Sequence, residues 1–342
     1  MRIVMASEGP RIPAAAIGSR PLGGAETAFA LLAEALAVHH DVQVEAGEEP
    51  PERLGRVAWA PPGTALAAGE TPDLVIATRV PRLFGRLPRT GRRVLWLHNP
   101  ADYLTKPRHL VPLLRARPIL VTLGAAHRAT LPAWLPGRRV IIPLAVAPPF
   151  DQRQEPRVPP PPVAIFTSNP MRGLDWLLIQ WATRIRSAVP WAELHLYSSA
   201  ATYGGDAQLA LRATSVLARA AAMGAAGVVI QKPLPRPALA ERLRGARAML
   251  YRGDAGETFC LALAEAQAQG LPCVVTNLGA VAERIVDGET GTIAADPEAF
   301  SAAAIRLLSD DALWSAQHAA ALARGPGPGW PDVAAQFADL AG

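Results

Sequence analysis

Short β-like apolar runs alternate with alanine-rich helical stretches along nearly the whole chain, and the alternation breaks once before starting again. Strands that recur with a helix between them fit parallel sheets covered by helices on both faces, because parallel neighbours need a crossover between them. In the first half the strands read as 2–6, 41–46, 73–77, 92–98, 118–123 and 139–144. The clearest helix runs from Gly24 to Val38, where Phe29, Leu32 and Leu36 recur at helical spacing behind a glycine-rich turn. Residues 147–162, APPFDQRQEPRVPPPP, then hold seven of the 34 prolines and propagate neither helix nor central strand. Beyond them strands at 163–168, 192–199, 227–233, 246–251 and 272–276 alternate with helices, among them DWLLIQWATRIRSA and one from about Thr258 to Gln269. This pattern predicts an α/β chain of two doubly wound units: a first domain over 1–148, a proline-rich linker over 149–162, a second domain over 163–328, and a terminal helix over 329–342. Trp330, Val333 and Phe337 give that last helix an apolar stripe for packing. No short fixed repeat is present, which argues against a solenoid.

A chain of 342 residues can bury two cores, and at 50% hydrophobic and 18% charged it is too apolar to stay disordered. Its uncharged apolar stretches, Ala220–Ile230 for example, fall well short of the roughly 20 residues that cross a bilayer. MRIVMASEGPR reads as a strand rather than a signal peptide. Cys260 and Cys273 have no C-x-x-C spacing, so neither a disulfide framework nor a cysteine zinc site is indicated, and a reducing cytoplasm fits best. The net charge of +5 is almost wholly arginine, since Lys106 and Lys232 are the only lysines. Such a balance suits acidic partners, but the arginines are dispersed and no nucleic-acid motif accompanies them, so nucleic acid is not an expected partner.

The most informative stretch is GETFCLALAEAQAQGLPCVVTNLGAVAERIVDGETG, residues 256–291. Glu257 stands at a predicted helix start and Glu265 eight positions later, which on a continuous helix sets them about 12 Å apart along the axis on neighbouring faces. Two carboxylates at that separation can serve one elongated ligand such as a nucleotide sugar, with the diphosphate drawn to the helix N-terminus. On alanine-rich helices such pairs are also common as plain surface charges.

The E-x7-E pair followed by EAQAQGLPCVV, LGAVAE and DGETG resembles the C-terminal signature of the retaining GT-B glycosyltransferases of family 4. The resemblance implies a GT-B architecture, two Rossmann-like domains facing a central cleft. It implies that Glu257 contacts the donor sugar, that Glu265 contacts the ribose, and that the backbone of Asn277, Leu278 and Gly279 reaches a phosphate. For Gly279 an ordinary turn is the alternative. Upstream, PLGGAETAFALLAEALA at 21–37 matches the family's glycine-rich loop, which would bring Gly23 and Gly24 against donor or acceptor. Glu26 beside them reads as a first-turn helix charge. LWLHNP puts His98 at the end of a strand, where the family has a histidine that reaches the donor sugar; His127 and His195 read as structural. FTSNPMRGLDWLL resembles the second glycine-rich element, in which two cations neutralise the diphosphate. Arg172 matches the second cation, while Asn169 stands in place of the first. A guanidinium suits phosphate because its bidentate contacts strengthen as leaving-group charge develops. Leu144 and Ala145 replace the family's asparagine and glycine near the linker, and no role is assigned there.

One segment lies outside this motif set. In RVPRLFGRLPRTGRR, residues 79–93, Val80, Leu83, Phe84 and Leu87 fall at i, i+3, i+4 and i+7 among arginines, with Pro81 and Pro88 bounding a two-turn helix. It reads as a surface helix or as a peripheral contact with an anionic membrane. The resulting expectation is a cytoplasmic, metal-independent retaining hexosyltransferase. Its donor would be a UDP- or GDP-linked sugar and its acceptor a glycan, a lipid-linked saccharide or a small molecule. The alternatives are a nucleotide-sugar epimerase or hydrolase on the same architecture and a non-catalytic nucleotide-sugar binding protein.

Overall fold

The computed structural model describes residues 1–9, 11–12, 23–47, 49–64, 70–199 and 207–342. They fall into two compact units. The first ends at Ala147 and takes up the chain again over Pro328–Gly342, and the second runs Pro148–Gly327.

The first unit is built on an eight-stranded sheet of β1 (Arg2–Ala6), β2 (Asp41–Glu45), β3 (Glu52–Leu54), β4 (Val57–Ala60), β5 (Leu74–Thr78), β6 (Arg92–Trp96), β7 (Ile119–Thr122) and β8 (Arg139–Ile141). Their order across the sheet is β3-β4-β2-β1-β5-β6-β7-β8. Every pairing is parallel except β3 with β4. β1, β5 and β7 are continuous apolar runs because both faces of a covered parallel sheet are dry: Ile3, Val4, Met5, Leu74, Val75 and Ile76 have no exposed surface. Sequence order leaves β1 in one direction to β2, β4 and β3, then resumes on its other side with β5. The reversal makes the β1/β5 junction a topological switch point, where an open α/β sheet leaves a crevice at its carboxyl edge.

The helix Trp330–Ala338 belongs to this unit and packs on the helix Gly24–Leu36. Trp330, Val333 and Phe337 are buried, and the Phe337 ring meets Trp96 edge-on at 5.2 Å. Residues 79–93 depart from the amphipathic surface helix. Only Pro81–Gly85 is helical, as a 3-10 turn, and Leu83, Phe84 and Leu87 lie in one core cluster with Val75, Leu95 and Leu113. The apolar stripe is used inside the unit, so it is not available to enter a bilayer. Three of its arginines meet carboxylates, Arg79 with Glu26, Arg82 with Glu8 and Arg86 with Glu45.

The second unit carries a six-stranded, all-parallel sheet of β9 (Val163–Phe166), β10 (Glu193–Tyr197), β11 (Val228–Gln231), β12 (Ala248–Tyr251), β13 (Cys273–Thr276) and β14 (Gly291–Ala294). The order β11-β10-β9-β12-β13-β14 places its switch point between β9 and β12. The expected long helix after β9 is present but interrupted: Leu174–Gln180 is α-helical, and Trp181–Ile185 adds a π-helical turn. The helix after β12 starts later than the sequence predicts, at Leu261, because Cys260 takes the left-handed conformation with φ 66°. Glu257 therefore precedes the helix, and the 12 Å helical spacing from Glu265 does not apply to it. Among the described residues no helix is long and apolar enough to cross a membrane.

Candidate functional site

At the second switch point, β9 and β12 deliver their last residues side by side, and a hydrogen bond of 3.3 Å joins Ser168 to the Tyr251 hydroxyl. Asn169 then accepts the Met171 amide on its Oδ1 at 2.9 Å, and its carbonyl takes the Arg172 amide at 2.9 Å. This side chain builds a turn of the kind asparagine favours. The turn presents Arg172, whose guanidinium pairs with the Glu257 carboxylate. Gly173 follows with φ 83°, and any Cβ there would stand 2.8 Å from that of Arg252, so the chain needs glycine to turn into its helix.

Glu257 is 6% exposed and sits in a loop stitched from two directions. Its amide donates to the Asp254 carbonyl at 3.0 Å, and its own carbonyl accepts the Ala280 amide at 2.9 Å. Tyr251 donates its hydroxyl to the same carboxylate. Burial, together with the Cys260 thiol and the Glu257 carboxylate, pushes the Tyr251 phenol far above its ordinary range, so it remains a donor. The Cys260 thiol is likewise pushed up, chiefly by burial and then by Glu257.

Asn277, Leu278 and Gly279 form the loop after β13. Gly279 has φ 58°, and a Cβ there would come within 2.7 Å of the carbonyl oxygens of both Asp254 and Glu257. Glycine at this position is thus a condition for the two loops to touch. Arg172, Glu257 and the 277–279 loop, separated in sequence, form one continuous arrangement.

Glu265 lies on the helix Leu261–Ala268, 8% exposed, and Arg236 reaches its Oε1 at 2.5 Å. Burial pushes the Glu265 carboxyl up, and Arg236 opposes that shift. Arg236 is itself held from the other side by the Phe150 ring, 5.0 Å from the guanidinium carbon, and by the Pro148 carbonyl at 3.4 Å. Each glutamate of the pair therefore stands against its own arginine.

In the first unit, a small pocket at the β1/β5 switch point is lined by Ser7, Gly9, Ile12, Ala25, Glu26, Phe29, Thr78, Arg79 and His98. Gly23 and Gly24 open the adjoining helix; Pro21 and Leu22 of the same motif lie outside the described residues. His98 follows β6 with its ring 4.3 Å from that of Trp96. Burial above all, then the charges of Arg79 and His127, lowers the His98 imidazole well below its ordinary value, so it is neutral at pH 7. Arg79 turns at φ 63° and bridges to Glu26 at 3.0 Å. His127 accepts the Leu123 amide on Nδ1 at 3.1 Å and donates Nε2–H to the Asn99 carbonyl at 2.9 Å, a structural role. His195 pairs with Glu193 at the surface, 2.8 Å away.

Residues 161–310 match the family model described as glycosyl transferases group 1. The matched stretch lies within the second unit. The whole chain has the GT-B fold. Sucrose-phosphate synthase from Thermosynechococcus elongatus superposes over 99% of this chain and 98% of its own, with a TM-score of 0.75 at 16% identity. A trehalose-6-phosphate protein from E. coli bound with UDP-2-fluoro glucose covers 100% and 99%, with a TM-score of 0.72 at 13% identity. Among curated relatives, a D-inositol 3-phosphate glycosyltransferase from Thermobispora bispora is 28% identical over 246 residues, 70% of this chain and 54% of the relative. The chain thus spans about half the length of that relative.

Sequence reasoning passed over Tyr251, Arg236 and Arg79. A signal existed for two of them, because Tyr251 ends one predicted strand and Arg79 closely follows another, at the carboxyl edge where such sheets bind ligands. Arg236, in PLPRP, carried no such signal. Among the described residues no group of three or more His, Cys, Asp or Glu side chains is placed to hold a metal ion.

Proposed function

We propose that the protein is a retaining glycosyltransferase that moves a hexose-type sugar from a nucleoside-diphosphate donor to an acceptor hydroxyl, in the biosynthesis of a glycan, lipopolysaccharide or exopolysaccharide. The observation that carries this reading is the pairing of two buried carboxylates with two guanidiniums at the carboxyl edge of the second unit. A carboxylate accepts hydrogen bonds only, which matches the hydroxyls of a sugar and of a ribose, and a guanidinium matches phosphate oxygens.

In this reading the Arg172 guanidinium, 37% exposed while its partner is 5% exposed, is the mobile half of its pair. An arriving diphosphate recruits it, and Glu257, still held by Tyr251 on Oε1, turns Oε2 to the sugar. As the glycosidic C–O bond lengthens, charge grows on the leaving phosphate, where the recruited Arg172 guanidinium stabilises it. The acceptor oxygen then bonds to the anomeric carbon from the face the phosphate leaves, giving that phosphate its proton, so the configuration is retained. Glu265, fixed by Arg236, takes the ribose hydroxyls. The amides of 277–279 approach the phosphates, and in the first unit Gly23, Gly24 and neutral His98 are the groups offered to a sugar or phosphate. With guanidiniums neutralising the diphosphate, a chelator is expected to leave the rate unchanged.

The relative bound with UDP-2-fluoro glucose favours a uridine donor for a first test, with GDP-linked sugars as the comparison. Two buried free thiols, Cys260 and Cys273, are in keeping with a reducing cytoplasm. The deciding assay incubates the protein with donor, with and without an acceptor panel, and reads nucleotide release and the anomeric configuration of the product. Acceptor-dependent release with retention supports the proposal. Release at the same rate without acceptor, yielding free sugar, replaces it with hydrolysis.

A further inference from the structure

The first unit has a second concavity at the opposite edge of its sheet from His98. It occupies about 430 Å³ around the amino ends of β6 and β7, and Arg89, Arg92, Arg93, Arg117 and Arg138 line it. Arg92 opens β6 and His98 follows its far end, six residues on, which is about 20 Å of extended chain. Elsewhere in the molecule arginines meet carboxylates, as Arg79, Arg82, Arg172 and Arg236 do. None of these five has an Asp or Glu carboxylate within ion-pair distance among the described residues. Arg92 donates to the main-chain oxygen of Gly342, the last residue of the sequence, at 3.1 Å, while Arg93 donates to the Pro88 carbonyl at 3.4 Å and lies over the Phe84 ring at 6.0 Å. Asp73 shares a main-chain hydrogen bond with Arg92 but gives its carboxylate to the Arg2 amide. The carboxyl end of the helix Pro107–Ala116 adds a partial negative charge at the rim, small against five full positive charges.

Five guanidiniums around one recess repel one another, and no Asp or Glu side chain among the described residues offsets them; only Arg92 reaches the oxygen of the last residue. A single carboxylate satisfies one arginine fork, whereas a phosphate group with two charges and three free oxygens engages several. We propose that this recess binds a phosphorylated, multiply charged anionic group, as a second anion site at the edge of the sheet remote from the β1/β5 switch point.

The test uses the full-length Arg172→Ala protein, so that the expected donor diphosphate site does not compete for the probe. Calorimetric titration with tripolyphosphate is expected to give one equivalent bound, weakened at least tenfold by adding Arg89→Gln and Arg138→Gln. Both side chains are exposed, so the fold should stand, and an unchanged melting curve checks it. Arg89→Lys with Arg138→Lys, which keeps charge but loses the fork, should fall between. Sedimentation with phosphatidic acid against phosphatidylcholine vesicles identifies the source: binding to the phosphatidic acid vesicles alone, lost in the Gln double variant, assigns a lipid phosphomonoester, and no vesicle binding beside tight tripolyphosphate binding assigns a soluble ligand. Failure to bind either probe, or binding of both that the Gln double variant leaves unchanged, overturns the proposal.

Discussion

At the β1/β5 junction of the first unit, the side chain beyond the neighbouring strand is a histidine buried against Trp96 and held neutral. At the β9/β12 junction of the second unit, two buried carboxylates stand against two guanidiniums, one of them beside a phenol. Both junctions arise from the same reversal of strand order, so topology supplies the crevice and the side chains supply the difference. A site with a buried neutral imidazole beside one part-exposed ion pair, Arg79 with Glu26, suits contact with uncharged hydroxyls. A site whose charges are already paired suits a ligand that carries charge of its own, because exchanging one ionic partner for another avoids leaving a buried carboxylate uncompensated.

The sharpest way to break this contrast is Glu257→Gln. If the charged junction performs the chemistry, turnover should fall about 100-fold or more in a folded protein, a loss typical of removing one group that acts on the transition state. Wild-type rates in a variant with an unchanged circular dichroism spectrum would remove the distinction between the junctions.

Next in size is Gly279→Ala. The left-handed backbone and the two carbonyls at 2.7 Å leave no room for a methyl group, so the variant should lose about 2 kcal/mol of stability in denaturant titration. Activity should drop with it, because the same loop fixes Glu257. An equal loss from Gly288→Ala, where φ is 78° but the space around is open, would show that backbone strain alone is responsible.

Glu265→Gln is expected to weaken donor affinity about tenfold with a smaller change in kcat, roughly 1.4 kcal/mol in binding. The same variant has a pH signature. The Glu265 carboxyl is raised in the folded protein, so its contribution to stability is greatest at low pH and is lost as pH rises through the folded value. The variant's melting temperature relative to wild type should therefore be higher at pH 7 than at pH 4. A difference that runs the other way contradicts the assignment of burial as the larger influence.

The smallest effect belongs to the neutral junction. His98 is lowered, so the unfolded chain takes up a proton below pH 6.5 that the folded protein refuses, and stability falls with acidification from there. His98→Asn should lack this component, and the gap between the two melting curves should change between pH 7.5 and pH 5. The account expects no titration of His98 in the pH–rate profile between 6 and 8.

Much of the fold was legible because buried parallel strands are continuous apolar runs: DLVIA, RRVLWLH and PCVVT each announce a strand without help from tertiary structure. The antiparallel edge pair of β3 and β4 did not, since Glu52 and Arg53 in a three-residue edge strand carry no periodicity. β14 was hidden in the same way, four residues opened by a glycine. The late start of the helix at Leu261 was illegible for a different reason, because nothing in TFCLALAEA marks Cys260 as left-handed. That one residue moved Glu257 off the helix. Of the site, Arg172, Glu257 and the 277–279 loop were named from the family resemblance, and the structure joins Arg172 to Glu257 and Glu257 to that loop. Tyr251 and Arg236 escaped because a partner across a sheet or from another helix has no fixed spacing to find.

The most direct measurement is calorimetric titration of the wild-type chain and of Glu265→Gln with UDP and with GDP. One equivalent of at least one nucleotide should bind the wild type, and the variant should bind it about tenfold more weakly. Equal affinity in both proteins, or no binding of either nucleotide, would contradict the claim that the paired charges of the second unit hold a nucleotide sugar.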